Sequence, residues 1–145
     1  MNAEMERMIV EEDEGWTAFH ALLHLVPPSR LEEPRVTPEG WSAKDVMFHV
    51  GAWLAEASRQ LERIREGTYE PPAASTQTMN DEWFALSRTL DPATVWAELE
   101  ASRVMARGSL GALDTVTPIA REWFEESGAL HYAEHIGSLG RWLGA

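Results

Sequence analysis

The residues of this chain best suited to chemistry are its five histidines. Two of them stand four residues apart in the run His131-Tyr132-Ala133-Glu134-His135, and on a helix that spacing sends both imidazoles off one face, where they can share a ligand. A third, His49, lies in a separate helical stretch, Trp41-Ser42-Ala43-Lys44-Asp45-Val46-Met47-Phe48-His49. At about 100° per residue, His131 and His135 fall within roughly 40° of each other on the stripe of Phe124 and Trp142, while His49 falls on the stripe of Val46 and Trp53. All three are therefore expected to face the interior. A buried imidazole needs partners for both ring nitrogens, and a metal ion supplies one to each ring. Three imidazoles with a fourth position open is the arrangement of catalytic rather than structural zinc sites, so the pattern predicts a metal centre. The competing reading is three ordinary hydrogen-bonded core histidines. An all-imidazole set suits zinc, nickel, iron and copper alike, so the spacing names neither the metal nor a substrate.

Other candidates carry less. His20 and His24 form a second i, i+4 pair, but His24 sits off the stripe of Trp16, Phe19 and Leu23, which predicts a surface or boundary pair, with His20 able to approach the site as an outer group. The run from His131 to His135 also fits the H-x-x-E-H pattern of inverted zinc proteases, but that chemistry needs a further acidic ligand downstream, and no acidic residue follows His135. Glu134 is expected to one side of the site, as a solvated carboxylate or an outer partner to a histidine. Ser42 and Thr117 are better explained as helix caps than as nucleophiles. Lys44, the single lysine, is expected in an exposed first turn. The seven tryptophans predict an aromatic core, with Trp53, one turn beyond His49, the residue expected to contact substrate.

Positioning these side chains falls to four helical segments. The first, about Asn2 to Val26, carries Met5, Ile9, Trp16, Phe19 and Leu23 at helical spacing and ends at Pro27-Pro28. Ser42 opens the second as N-cap, with Asp45 completing a capping box; its stripe is Val46, His49, Val50, Trp53, Ala57, Leu61 and Ile64, and Gly67 closes it. Pro71-Pro72 mark a crossing, with a short helical piece from Met79 to Ser87 beyond it. Asp91-Pro92 starts the third helix, running to about Leu113 with Val95, Leu99, Val104 and Leu110 as apolar positions, and Thr117-Pro118 starts the fourth. Gly128 inside the fourth predicts a bend or a late start. No segment alternates with period two, and the connections before the second and third helices are long enough to cross the bundle. The expected fold is all-α, a four-helix bundle in a single domain over residues 1–145.

Composition sets the outer limits. A chain of 145 residues with 44% hydrophobic content can bury one core. The net charge of −12 and the scattered cations argue against nucleic-acid and anionic-membrane partners. With no cysteine, disulfides and thiolate ligands are excluded. Neither a secretory leader nor a membrane-spanning apolar run is evident, so the expected location is cytoplasmic.

The stretch Gly40-Trp41-Ser42-Ala43-Lys44-Asp45-Val46 leading to His49 and Trp53, then Asn80, then His131-Tyr132-Ala133-Glu134-His135 with Trp142, resembles the DinB-like superfamily over nearly the whole chain. Within it the sequence is most similar to the mycothiol-dependent maleylpyruvate isomerase N-terminal group, with ClbS/DfsB-like proteins as near neighbours. The resemblance implies an up-down-down-up bundle, a divalent metal (zinc or nickel) on His49, His131 and His135, and a homodimer. It implies activity on a small molecule, as a thiol-dependent S-transferase of the mycothiol type or as a hydrolase; the alternative is a non-catalytic, stress-associated protein that sequesters a metabolite. The isomerase has a second, C-terminal domain that contributes to catalysis, and this sequence ends just after its fourth helix, so isomerisation itself is not expected.

Overall fold

The structure is a computed structural model that describes residues 2–144. Its α-helices are α1 (Ala3–Leu25), α2 (Ala43–Glu66), α3 (Thr76–Ser87), α4 (Pro92–Gly111), α5 (Pro118–Ser127) and α6 (Ala129–Leu143), with a single 3-10 turn at Pro28–Arg30 and no strand among the described residues.

Local chemistry fixes the helix ends. The Asn2 side chain caps α1 at the Met5 N–H, and Ser42 and Asp45 form the reciprocal capping box of α2. Asp91 and Thr117 cap α4 and α5, each followed by proline at the first helical position, where its missing N–H removes no helical bond. Gly67 ends α2 with φ of 78°, a conformation in which a Cβ would be strained. The helix α3 begins three residues before Met79, because Ser75 accepts the Thr78 N–H and caps a turn that apolar periodicity does not mark.

Two sets of contacts give the topology. Along α2 and α4, Lys44 meets Leu90, Gly51 meets Leu99 and Ser58 meets Ser109, so these helices run parallel. Along α1 and α5–α6, Glu4 pairs with Arg121, Gly15 abuts Ala129, and Phe19 stacks on Tyr132, again in parallel. Glu12 reaching Arg107 while His20 reaches Glu100 makes α1 and α4 antiparallel. The four layers α1, α2, α4 and α5–α6 therefore form an up-down-down-up bundle.

The core differs from expectation in three places. It is mostly aliphatic: Trp16 is buried, whereas Trp41, Trp53, Trp83, Trp96, Trp123 and Trp142 are half-buried at helix edges, where an indole can keep its N–H near a polar partner. Val104 is 67% exposed, the inward positions of α4 being Val95, Leu99, Ser102, Ala106 and Leu110. Lys44 is buried, its ammonium donating to Glu32 and to the Leu90 carbonyl at 2.7 Å each, which ties α2 to the loop before it and to the start of α4.

Candidate metal centre and cleft

His49 comes from the second turn of α2, held by the Ser42–Asp45 cap; Asp45 also accepts the Ser87 hydroxyl at 2.9 Å, which locks α3 to the same corner. His131 and His135 come from α6. That helix is separated from α5 at Gly128, where an added Cβ would lie 2.9 Å from the Phe124 carbonyl oxygen, closer than a side chain tolerates. The break lets α5 and α6 take different directions, and α6 is pinned one residue beyond His131: Tyr132 is fully buried and donates to Glu12 of α1 at 2.8 Å.

The three imidazoles meet. His131 Nε2 lies 2.9 Å from His49 Nε2 and 3.0 Å from His135 Nε2, and all three donor atoms fall within 4.8 Å of one another. His131 and His135 are buried and His49 is half-buried on the cleft side. Burial, reinforced by the neighbouring His135, pushes the His49 pKa down to about 3. The same cause, burial first and then the other two rings, holds His131 well below the ordinary value. Burial also lowers His135, opposed by the charges of Glu134 and Glu39. At neutral pH the rings are thus uncharged and aim Nε2 at a common point. A tetrahedral ion with bonds of about 2.0–2.1 Å keeps its ligand atoms about 3.3 Å apart, so the two separations from His131 need only a few tenths of an ångström of spreading to seat one, and the third lies within 4.8 Å. The donor set therefore fits a metal ion. The His49 ring is oriented by packing: Trp41 lies 4.7 Å from it, centroid to centroid, and its buried Nδ1 has no hydrogen-bond partner, whereas His131 has the Ser127 backbone beside it one turn back, too loosely placed to count as a full hydrogen bond.

His49 and His131 open onto a cleft of about 700 Å³. Trp53, where substrate contact was expected, forms one wall; its indole N–H donates to Asn80 Oδ1 at 2.9 Å, and its ring sits 6.3 Å from Trp123. Trp123 in turn donates to the Tyr69 hydroxyl at 3.2 Å. Glu134 lines the cleft with an exposed carboxylate, joined by Glu122 and Glu126, while no lysine or arginine lines it. Sequence reasoning missed Tyr69, Glu122 and Glu126. Helical spacing gave no signal for the last two: on one continuous helix Glu122 and Glu126 would lie about 180° and 140° from His131, and they border the cleft only because α5 and α6 are separate helices broken at Gly128.

His20 is not near this centre. It faces His24, Trp16, Trp96 and Glu100 on the α1–α4 side of the bundle, because Trp16 and Phe19 take the inward positions of that turn and leave His20 at the edge.

No family model and no curated protein matches the sequence. Solved structures do match in fold. An uncharacterised protein from Escherichia coli UTI89 superposes with a TM-score of 0.83 at 13% identity, over 95% of this chain and 91% of that one. A mycothiol-dependent maleylpyruvate isomerase superposes with a TM-score of 0.76 at 19% identity, over 94% of this chain and 60% of the isomerase. The chain therefore has the DinB-like helical fold, and it spans about three-fifths of the isomerase's length.

Proposed function

We propose that this protein is a metal-dependent catalyst that joins a small thiol to an electrophilic small molecule. The observation that carries the reading is the convergence of three uncharged imidazoles, two of which, His49 and His131, open onto an aromatic cleft. Held by His49, His131 and His135, a divalent ion would supply Lewis acidity, lowering the pKa of a thiol or water so that the nucleophile forms near neutral pH. The similarity in fold to a mycothiol-dependent enzyme favours a thiol over water.

The chain's own residues do the rest. Trp53 and Trp123 offer indole surface whose N–H groups are already engaged, so the cleft presents aromatic area to an apolar electrophile. Glu134 faces the cleft and favours positive charge at the His135 ring, which assists cation retention at the triad. Glu122, Glu126 and Glu134 without a facing cation repel anions, and the net charge of −12 extends that repulsion to the approach. The substrates are therefore neutral or cationic, and dianionic electrophiles are disfavoured. In the reaction the thiol loses its proton to solvent, its sulfur pair forms the C–S bond, and the electrophile's leaving group departs with the displaced electron pair.

The test is conjugation of 1-chloro-2,4-dinitrobenzene, with chloride release, by tag-free protein loaded with zinc or nickel. Cysteamine and N-acetylcysteine methyl ester are expected to react faster than glutathione, with activity lost on chelation and in His131→Ala. Equal rates for all thiols relative to their uncatalysed reactions would remove the charge argument, and no metal-dependent rate would remove the enzyme. The aromatic cleft also supports a second reading, a binding module that sequesters a hydrophobic metabolite. Tight binding without turnover would favour it.

A further inference from the structure

Outside the triad, imidazole nitrogens converge at one other place. His20 and His24 on α1 bring their Nε2 atoms to 3.2 Å, and Glu100 of α4 places Oε1 3.7 Å from His20 Nε2. The rings are held rather than free. His24 stacks on Trp96 at 5.1 Å and 26°, and His20 lies between Trp16 at 5.2 Å and the edge of Trp96 at 5.5 Å. This clamp orients both Nε2 atoms toward a common point beside a carboxylate on the neighbouring helix.

We infer that His20, His24 and Glu100 form a second metal site, for a borderline divalent ion such as zinc, nickel or copper, on the outer face of the α1–α4 seam. A hydrogen bond between the two rings engages their facing nitrogens and does not involve the carboxylate. A cation instead takes both nitrogens and the carboxylate together, with water filling its other positions. Glu100 approaches His20 and not His24 in this structure, and its side chain, 59% exposed, is free to turn toward the pair. The donors come from two antiparallel helices that the unfolded chain does not hold together, so the ion binds the folded state and fastens α1 to α4. The ion pairs of Glu12 and Asp13 with Arg103 and of Glu12 with Arg107 occupy the next turns of the same seam, which places the metal clamp at its open end.

The experiment titrates zinc and nickel into tag-free protein by calorimetry, in a His131→Ala background that removes the triad's central ligand. One equivalent is expected, lost in His131→Ala/His24→Ala and severalfold weaker in His131→Ala/Glu100→Gln. Thermal melts of the same proteins read it a second way, zinc raising the midpoint only where His24 is present. Should His131→Ala fold poorly, wild type against His24→Ala gives the same answer as two equivalents falling to one. An equal number of bound ions with and without His24, in either pair, overturns the site; an unchanged affinity in Glu100→Gln overturns the carboxylate's role. Because the readout depends on His24 and not on turnover, it stands or falls apart from the proposed activity.

Discussion

Glu12 is 1% exposed and accepts four hydrogen bonds: two from Arg103 at 2.8 and 3.1 Å, one from Arg107, and one from the Tyr132 hydroxyl at 2.8 Å. Replacing it by alanine leaves the Tyr132 hydroxyl fully buried without its acceptor and strands two guanidinium groups. Breaking a buried ion pair costs about 3–5 kcal/mol. Two features pull toward the lower end: Arg103 keeps Asp13 at 2.7 Å, and Arg107 is 30% exposed and can turn to water. The buried hydroxyl pulls the other way, adding about 1–3 kcal/mol for an unsatisfied group. A net loss of about 3–5 kcal/mol results. Unfolding entropy of about 2.1 cal/mol/K per residue gives roughly 0.3 kcal/mol/K for 145 residues, so Glu12→Ala should lower the melting midpoint by about 10–16 °C. Tyr132→Phe removes only one of the four bonds and leaves Glu12 paired with both arginines, so its loss should be nearer 1 kcal/mol, or about 3 °C. Circular dichroism melts of metal-free protein read both. A midpoint for Glu12→Ala within 3 °C of wild type, or a larger loss for Tyr132→Phe than for Glu12→Ala, would refute the reasoning. Because Tyr132 adjoins His131 on α6, Glu12→Ala should also weaken metal binding at the triad.

Three further outcomes are expected. In metal-free protein the unfolded chain takes up a proton at His49 near pH 6.5 while the folded ring stays neutral down to about 3. The unfolded state thus binds more protons in that window, so stability is full above pH 6.5 and falls as the pH drops through it. For this partly exposed ring, urea melts at pH 7 and 5 should lose about 1–2 kcal/mol less in His49→Leu than in wild type, and identical losses would sink the claim. Gly128→Ala drives its Cβ against the Phe124 carbonyl and should cost about 1–3 kcal/mol by thermal melt, with reduced metal affinity because α6 carries two ligands; an unchanged midpoint would show that the α5–α6 break tolerates a side chain. Lys44→Met frees the Leu90 carbonyl of its charged donor and should cost about 1–2 kcal/mol, whereas an exposed lysine would cost almost nothing.

The parts of this fold written in local sequence were legible. Ser42 with Asp45, Asp91-Pro92, Thr117-Pro118 and Gly67 mark helix ends because each satisfies a backbone group within a few residues of itself. The triad was legible because its periodicity needs only the helix angle, and the structure brings His49, His131 and His135 together as that angle predicts. What escaped depends on partners far along the chain. Glu12 lies in an acidic run, Glu11 to Glu14, that reads as solvated surface, and its partners Arg103 and Arg107 are more than 90 residues away. One trace existed: Met5, Met8, Glu12, Trp16, Phe19 and Leu23 are the buried stripe of α1, and Glu12 fills the gap between Met8 and Trp16. Lys44 was misplaced for the same reason, since its burial depends on Glu32 and Leu90 and not on its neighbours in the turn.

Metal content of tag-free protein is the most direct measurement of the central claim. It should be made by plasma mass spectrometry after reconstitution with zinc or nickel and gel filtration, in a His24→Ala background so that the outer pair of histidines contributes nothing. About one equivalent should remain bound, and adding His49→Ala should remove it while helical content persists. Equal metal with and without His49, or none in either protein, would contradict a three-histidine centre and leave a bundle whose buried imidazoles serve packing alone.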